Sequence, residues 1–359
     1  LGRKDKMSVK DADGHKLSLY PREVARVLDG FHNHSLLQVE IGVTDACNHR
    51  CSYCSLDWVN RERNYIDKNK MEYALEDMAE MGVKAVYFAG EGEPLLHKDI
   101  HEFVKTASDL DMGVSMSTNG ALLNEKRAEK ILPYLNWMRI GVDAGSSKTY
   151  STIHGTRESD FGRTMSNLET IARIKQDNNY NVDIGVQALL LPENIHEMRD
   201  LTSMIKDTGV DNIQIKPFAQ QPFATKRKNL VDYNNKDMKD LKKDLESFSD
   251  DSFTVVYREK SMERTTNAGE YDKCLGLDFW TLTDSKGNVL PCNMFYGNEK
   301  FSFGNFNDKG FKDIWESDRR KEVKEKINRF NCKEYICRAD LLNRYMWRLK
   351  HPEPNDSFI

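Results

Sequence analysis

Cys47-Asn48-His49-Arg50-Cys51-Ser52-Tyr53-Cys54 carries three thiols at C-x3-C-x2-C spacing on a short polar stretch. Thiolates are ligands for soft metals, and three on one tight loop can hold three irons of a cubane 4Fe-4S cluster. The fourth iron is then left without a protein ligand, and a small molecule can chelate there. Two other readings use the same residues. Zinc can take the three thiolates with His49 as fourth ligand, although structural zinc usually draws on two separated C-x2-C knuckles and His49 is crowded between its co-ligands. Three unligated buried thiols are the third reading, poorly suited to a segment holding Asn48, His49 and Arg50.

The other cysteines are Cys274, Cys292, Cys332 and Cys337, which bring the total to seven. Four thiols suffice for one fully ligated iron-sulfur cluster, and equally for a structural zinc. An odd cysteine count in a chain with no apolar stretch at Leu1–Lys6 points to metal ligation rather than disulfide pairing. Three plus four uses every thiol, so none is left to act as a methyl acceptor or hydrogen donor.

These groups have to be positioned by regular elements. Leu37, Val39, Ile41 and Val43 alternate in strand fashion just before the first cysteines. Further strands are expected at Val83–Ala89, Gly113–Ser117, Met138–Val142, Val182–Leu190 and Asn212–Pro217. Helices are expected between them, including Asp67–Met81, whose Met71, Leu75, Met78 and Met81 form a core-facing stripe. Alternating strand and helix implies parallel strands joined by right-handed crossovers. The count of six is short of a full barrel, and the expected fold is α/β, a partial (β/α)6 TIM-like barrel over residues 37–217. The first cysteine loop then lies on the rim at the strands' C-terminal ends, where such folds build active sites. Residues 1–36 are expected to form an N-terminal extension, 218–260 a bridge, 261–340 a small cysteine-bearing domain and 341–359 a tail.

Composition narrows the class. The chain has 359 residues, 39% hydrophobic and 31% charged, with 53 basic against 57 acidic side chains, which gives no basic excess for a nucleic-acid partner. The clusters Lys226-Arg227-Lys228 and Arg319-Arg320-Lys321 read as solvated helix faces. No apolar run is long enough to span a bilayer, and the expected setting is the cytoplasm, with no membrane partner.

With these motifs in place, the chain resembles the radical S-adenosylmethionine (SAM) superfamily. The resemblance rests on C-x3-C-x2-C with an aromatic before its last cysteine, and on three further strand ends in order. Gly90-Glu91-Gly92-Glu93-Pro94 is similar to the family's Gly-Gly-Glu-Pro segment, here in a G-x-G-E-P form, which implies contact with the SAM amino group through Gly90, Gly92, Glu93 and Pro94. Ser117-Thr118-Asn119-Gly120 resembles the segment beside the SAM ribose and carboxylate, which implicates Ser117 and Asn119. Asp143 matches a recurrent strand-end aspartate, and Tyr53 would pack near the adenine. Capping, turn formation and loop packing are the alternatives for these residues. Gly287-Asn288-Val289-Leu290-Pro291-Cys292, then Phe303-Gly304-Asn305 and Ile314-Trp315, resemble the C-terminal SPASM/twitch domains of the same superfamily. That implies a second, auxiliary cluster on Cys274, Cys292, Cys332 and Cys337.

The resemblance implies a SAM-binding 4Fe-4S cluster on Cys47, Cys51 and Cys54, SAM itself, and flavodoxin or ferredoxin as electron donor. It implies reductive cleavage of SAM to a 5′-deoxyadenosyl radical that abstracts hydrogen, without naming a catalytic side chain. The first strand begins near Leu37, which leaves no room for a leader-binding domain of the kind seen in relatives acting on ribosomal peptides. Short stretches such as Cys-Asn-His-Arg-Cys and the C-terminal Asp356-Ser357-Phe358-Ile359 resemble proteins of surface-polysaccharide and small-metabolite pathways. The expected substrate is therefore a sugar or nucleotide-sugar, undergoing oxidation, epimerisation or rearrangement. The alternatives are a maturase of a ribosomal peptide or protein, and a non-catalytic iron-sulfur or zinc protein for electron transfer or binding.

Overall fold

A computed structural model describes residues 16–218, 220–221, 223–226, 231–264, 269–328 and 337–358. Strands β1 (Gln38–Gly42), β2 (Ala85–Ala89), β3 (Gly113–Thr118), β4 (Trp137–Gly141), β5 (Asp183–Leu190) and β6 (Asn212–Pro217) pair in parallel in chain order. Helix α1 (Pro21–Leu28) precedes them. Helices α2 (Lys68–Glu80), α3 (Ile100–Asp109), α4 (Glu125–Ile131), α5 (Ser147–His154), α6 (Ser159–Asp177) and α7 (Met198–Asp207) make the crossovers. Local chemistry sets their ends. The Asp67 carboxylate accepts from the Lys70 N–H to start α2, and Asn124 does the same for α4 through Arg127. Past α2 the chain turns at Gly82, whose φ of +82° favours a residue without Cβ.

The two faces of this sheet differ. Val39, Ile41, Val86, Phe88, Val114, Met116, Met138 and Ile140 are fully buried on the outer face. They share a core with the Met71, Leu75 and Met78 stripe of α2, against which Met81 packs. The register puts Glu40 opposite Tyr87, and Ser117 opposite Arg139, on the inner face. Strands covered on both sides by packing read as continuous apolar runs. Alternation with polar residues instead means that the inner face lines a space open to water or ligand.

The strand count differs from the expected six. Residues read as a bridge contain α8 (Lys236–Glu246) and then β7 (Thr254–Tyr257), which pairs in parallel with β6. After α9 (Glu259–Glu263), β8 (Trp280–Thr283) pairs in parallel with the free edge of β1. Eight parallel strands result, and the sheet runs on through β9 (Asn288–Leu290) and β10 (Gly304–Asn305) in antiparallel fashion. Among the described residues it stays open, since β7 ends the order and does not pair with β8. Both added strands are four residues long and almost wholly buried, so neither shows an alternation to read.

Helices α10 (Phe311–Trp315), α11 (Asp318–Asn328) and α12 (Asp340–Lys350) complete the chain. The N-terminal extension and the tail are joined. Leu17, Val24 and Val27 share a small apolar cluster with Phe279 and with Met346 of α12. Arg320 is a correction to the solvated-face reading. Its side chain is buried, donates to Asp278 at 2.9 Å and lies over the Trp315 ring. Among the described residues no helix is long and apolar enough to cross a membrane.

Candidate active site

The C-terminal ends of β1 to β4 lead directly into the segments singled out above. Their contacts with one another start at the glycines. A Cβ on Gly92 would fall against the carbonyl oxygens of Thr44 and Ala46, far inside van der Waals contact. Only glycine lets the segment after β2 lie on the start of the cysteine loop, where the Glu93 N–H donates to the Ala46 carbonyl at 2.8 Å. Gly90 has a φ of +104° and lies against Gly42 of β1.

Glu93 is buried and joins three strand ends. Its carboxylate accepts from the Thr118 hydroxyl at 2.6 Å, the Asn119 N–H at 2.8 Å and the Leu95 N–H at 3.1 Å. Burial keeps its pKa above the ordinary value even so. The Asn119 amide reaches back to Asn48 Oδ1 at 2.8 Å, tying β3 to the cysteine loop. Ser117 is turned the other way, accepting from the Tyr87 hydroxyl at 2.6 Å inside the barrel.

The far side of the loop is fastened to α5. The Arg50 and Ser52 N–H groups donate to the carbonyls of His154 and Ile153, at 2.9 and 2.7 Å. Gly155 permits this, because a Cβ there would strike the Arg50 carbonyl. His154 itself lies between two groups. Its Nδ1 is 3.6 Å from Cys51 Sγ, and its Nε2 is 3.3 Å from the Asp143 backbone nitrogen. The same Nε2 lies 3.2 Å from Asp143 Oδ2, so the ring bridges the cysteine loop and the end of β4. The Asp143 carboxylate accepts from the Tyr53 hydroxyl at 2.6 Å and the Leu189 N–H at 2.6 Å. Tyr53 otherwise packs on the cluster of Ile153, Leu191 and Phe218.

The three thiols are half-buried and form no disulfide. Burial, foremost, holds Cys47 and Cys51 above the usual thiol range. Unaided they would stay protonated, so thiolates here need compensating positive charge, which a metal centre supplies. A cationic donor is already aimed at one sulfur, with Arg61 Nη2 at 3.2 Å from Cys54 Sγ. Two thiolates on one zinc, with bonds of about 2.3 Å, stand no more than about 4.6 Å apart. Among the described residues, the set of metal-ligating side chains whose atoms lie within 4.8 Å of one another is His49, Cys51 and His154, not the thiol trio. That spacing suits thiolates on separate irons better than three on a single ion. His49 is buried edge-on to Tyr150 and His154, and burial, with His154 next, pushes it down to about 4. Among the described residues, neither of its ring nitrogens has a hydrogen-bond partner.

The second cysteine set is seen in part. Cys274 accepts from the Asn343 amide of α12 at 3.5 Å, and Cys337 from the Ala339 N–H at 3.3 Å. Cys292 packs against the cluster of Leu56, Trp280 and Tyr296 that also receives Cys54. Cys332 lies outside the described residues.

Residues 41–205 match the model of the radical SAM superfamily, and residues 274–339 match that of the iron-sulfur cluster-binding domain SPASM. The chain belongs to the radical SAM superfamily. Its cofactors are accordingly a 4Fe-4S cluster and SAM, with auxiliary iron-sulfur ligation in the SPASM domain. A tungsten-containing aldehyde ferredoxin oxidoreductase cofactor-modifying protein of Pyrococcus furiosus is 23% identical over 299 residues, covering 77% of this chain and 80% of the relative. A PqqA peptide cyclase of Bradyrhizobium diazoefficiens is 25% identical over 54% of this chain, and the match spans about half of that relative, 49%. Among solved structures, Streptococcus suis SuiB bound to precursor peptide SuiA superposes with a TM-score of 0.67 at 18% identity, over 94% of this chain and 78% of that one. This last likeness supports the radical SAM fold.

Sequence reasoning had not singled out His154, Arg61 or the inner-face polar residues. For His154 a signal exists: Ser146 and Gly155 bracket a short helix that ends on it, with Ser146 Oγ accepting from the Thr149 N–H.

Proposed function

We propose that this radical SAM enzyme modifies a peptide or protein substrate by hydrogen abstraction. The observation that carries the reading is the alignment with PqqA peptide cyclase. A sugar or nucleotide-sugar, expected from the short motifs, has less support, because Cys-Asn-His-Arg-Cys belongs to the cysteine loop whatever the substrate and Asp356–Phe358 are exposed in the tail.

Cys47, Cys51 and Cys54 would hold the cluster. Bound there, the cluster supplies reductive cleavage of SAM to a 5′-deoxyadenosyl radical, with flavodoxin or ferredoxin as the proposed electron source. The chain's own residues bind, orient and exclude water. Gly90, Gly92, Glu93 and Pro94 set the backbone beside the loop, and Asn119 holds the third strand end against it. Tyr53, fixed by Asp143, offers an aromatic edge to the adenine region. Cys274, Cys292, Cys332 and Cys337 are the proposed ligands of an auxiliary cluster.

The test is an anaerobically reconstituted enzyme given dithionite, SAM and a panel of precursor peptides. The expected result is 5′-deoxyadenosine together with a mass change in a peptide, and deuterium passing from labelled peptide into 5′-deoxyadenosine. Transfer from labelled sugars and from no peptide would overturn the reading.

A further inference from the structure

The barrel's inner face carries charges that the SAM rim does not use. Lys216, near the end of β6, donates to the amide oxygen of Gln187 at 2.9 Å, a neutral partner. Arg338 reaches in from the segment before α12 and donates to Glu40 Oε2 at 2.6 Å. Arg139 of β4 is paired with Asp183 at 2.6 Å, and Arg258 donates to Gln214 at 3.3 Å.

Two features show that these groups line a space rather than fill a core. Lys216 is half-buried, and the Arg338 side chain keeps 47% of its surface accessible. A packed interior would cover them, so both side chains present surface that an incoming group can reach. Burial first, and then Arg258 and Arg338, push Lys216 down to about 7 against the pull of Asp143. An ammonium placed beside two guanidiniums and given a neutral partner is costly unless an anion arrives.

We propose that the lumen receives the carboxylate of an acidic residue in the peptide substrate, seated between Lys216 and Arg338. The inference rests on the peptide reading given above. Glu40 and Asp183 already match Arg338 and Arg139, so the incoming group has little charge left to balance. That favours a monoanion over a phosphate dianion. Arg338 has five N–H donors, and its bond to Glu40 leaves others for a second carboxylate. Because Arg338 follows Cys337 in the chain, the C-terminal domain would itself read the substrate's charge.

The experiment uses the full-length, reconstituted, SAM-loaded enzyme and equilibrium binding by calorimetry. The probes are N-acetylglutamate N-methylamide, its glutamine counterpart and glucose 6-phosphate, each at fixed ionic strength. The glutamyl probe is expected to bind and the glutaminyl probe to bind about tenfold more weakly or worse. Lys216→Met and Arg338→Gln should each cost about tenfold toward the glutamyl probe, while Lys216→Arg, which keeps the charge, restores most of it. The restored Lys216→Arg affinity separates a lost contact from a lost fold. Equal binding of both amides, or preference for glucose 6-phosphate, would overturn the carboxylate assignment. So would a Lys216→Met enzyme that loses SAM but binds the glutamyl probe as before, since the anion would then be SAM's own carboxylate. Failure of the peptide reading looks different, because it shows as no mass change in any precursor while the charge preference among the probes persists.

Discussion

Tyr53 donates its hydroxyl to Asp143 at 2.6 Å, so the loop that carries the metal ligands is tied to the end of the fourth barrel strand. Asp143 also accepts from the Leu189 N–H, which extends the tie to β5. Removing the Tyr53 hydroxyl leaves a buried carboxylate one donor short. Tyr53→Phe is expected to cost about 1–3 kcal/mol in urea unfolding. It should also lower iron content after reconstitution, because the loop loses an anchor between Cys51 and Cys54. An unfolding midpoint equal to that of the unsubstituted protein would remove Asp143 from this role.

Gly92 lies where a side chain would meet two backbone carbonyls, and neither can swing aside as a flexible side chain could. Gly92→Ala should therefore separate the segment after β2 from the cysteine loop, at a cost of about 2 kcal/mol or more. Equilibrium dialysis with labelled SAM should show weakened binding, whereas Gly162→Ala, at a position with open space inside α6, should leave SAM binding unchanged and stabilise the fold slightly.

Glu91 is buried with one oxygen accepting from the Ser285 N–H at 2.7 Å and the other without a partner. Burial, followed by the nearby Asp284, raises its carboxyl from 4.5 to about 8. Between those values the folded state keeps a proton that the unfolded chain has released. Stability therefore falls as pH rises through this window, and the loss is complete above about 8. Glu91→Gln should flatten that slope and raise the melting temperature on its alkaline side. Parallel thermal melts at acid and alkaline pH check this, and parallel curves for the two proteins would refute it.

Arg61 lies 3.2 Å from Cys54 Sγ, and a cationic donor on a cluster thiolate favours the reduced state. Arg61→Leu is expected to move the midpoint potential of the SAM-binding cluster to more negative values. Redox titration followed by electron paramagnetic resonance measures this without any substrate.

Replacing Cys47, Cys51 or Cys54 by Ala should abolish SAM cleavage and remove about one cluster's worth of iron. Replacing Cys274 or Cys292 should remove iron from the C-terminal domain while the spectrum of the first cluster survives. Iron analysis with Mössbauer spectroscopy distinguishes the two patterns.

Much of the candidate site was legible because its parts are local. The cysteine spacing, the G-x-G-E-P turn and the strand ends after β3 and β4 each show in a few adjacent residues. What escaped is what only tertiary structure assembles. Lys216, Arg338 and Glu40 each look like ordinary surface residues in the sequence, and their meeting in the lumen depends on strand register and on a segment from the far end of the chain. Arg320, read with its basic neighbours as a solvated face, is drawn inward by Asp278. Strands β7 and β8 were missed for another reason: Thr-Val-Val-Tyr and Trp-Thr-Leu-Thr are too short for a period to emerge.

The pairing of β1 with β8 has a consequence for how the protein is made. Gln38 finds its partner Trp280 only after most of the chain has left the ribosome. Until then one edge of β1 is bare, with unpaired N–H and C=O groups that invite association with other chains. Long-range pairing of this kind also slows folding, because the loop it closes costs entropy before any contact returns it. A chain shortened before Trp280 should therefore collect in inclusion bodies, whereas one that retains β8 stays dispersed.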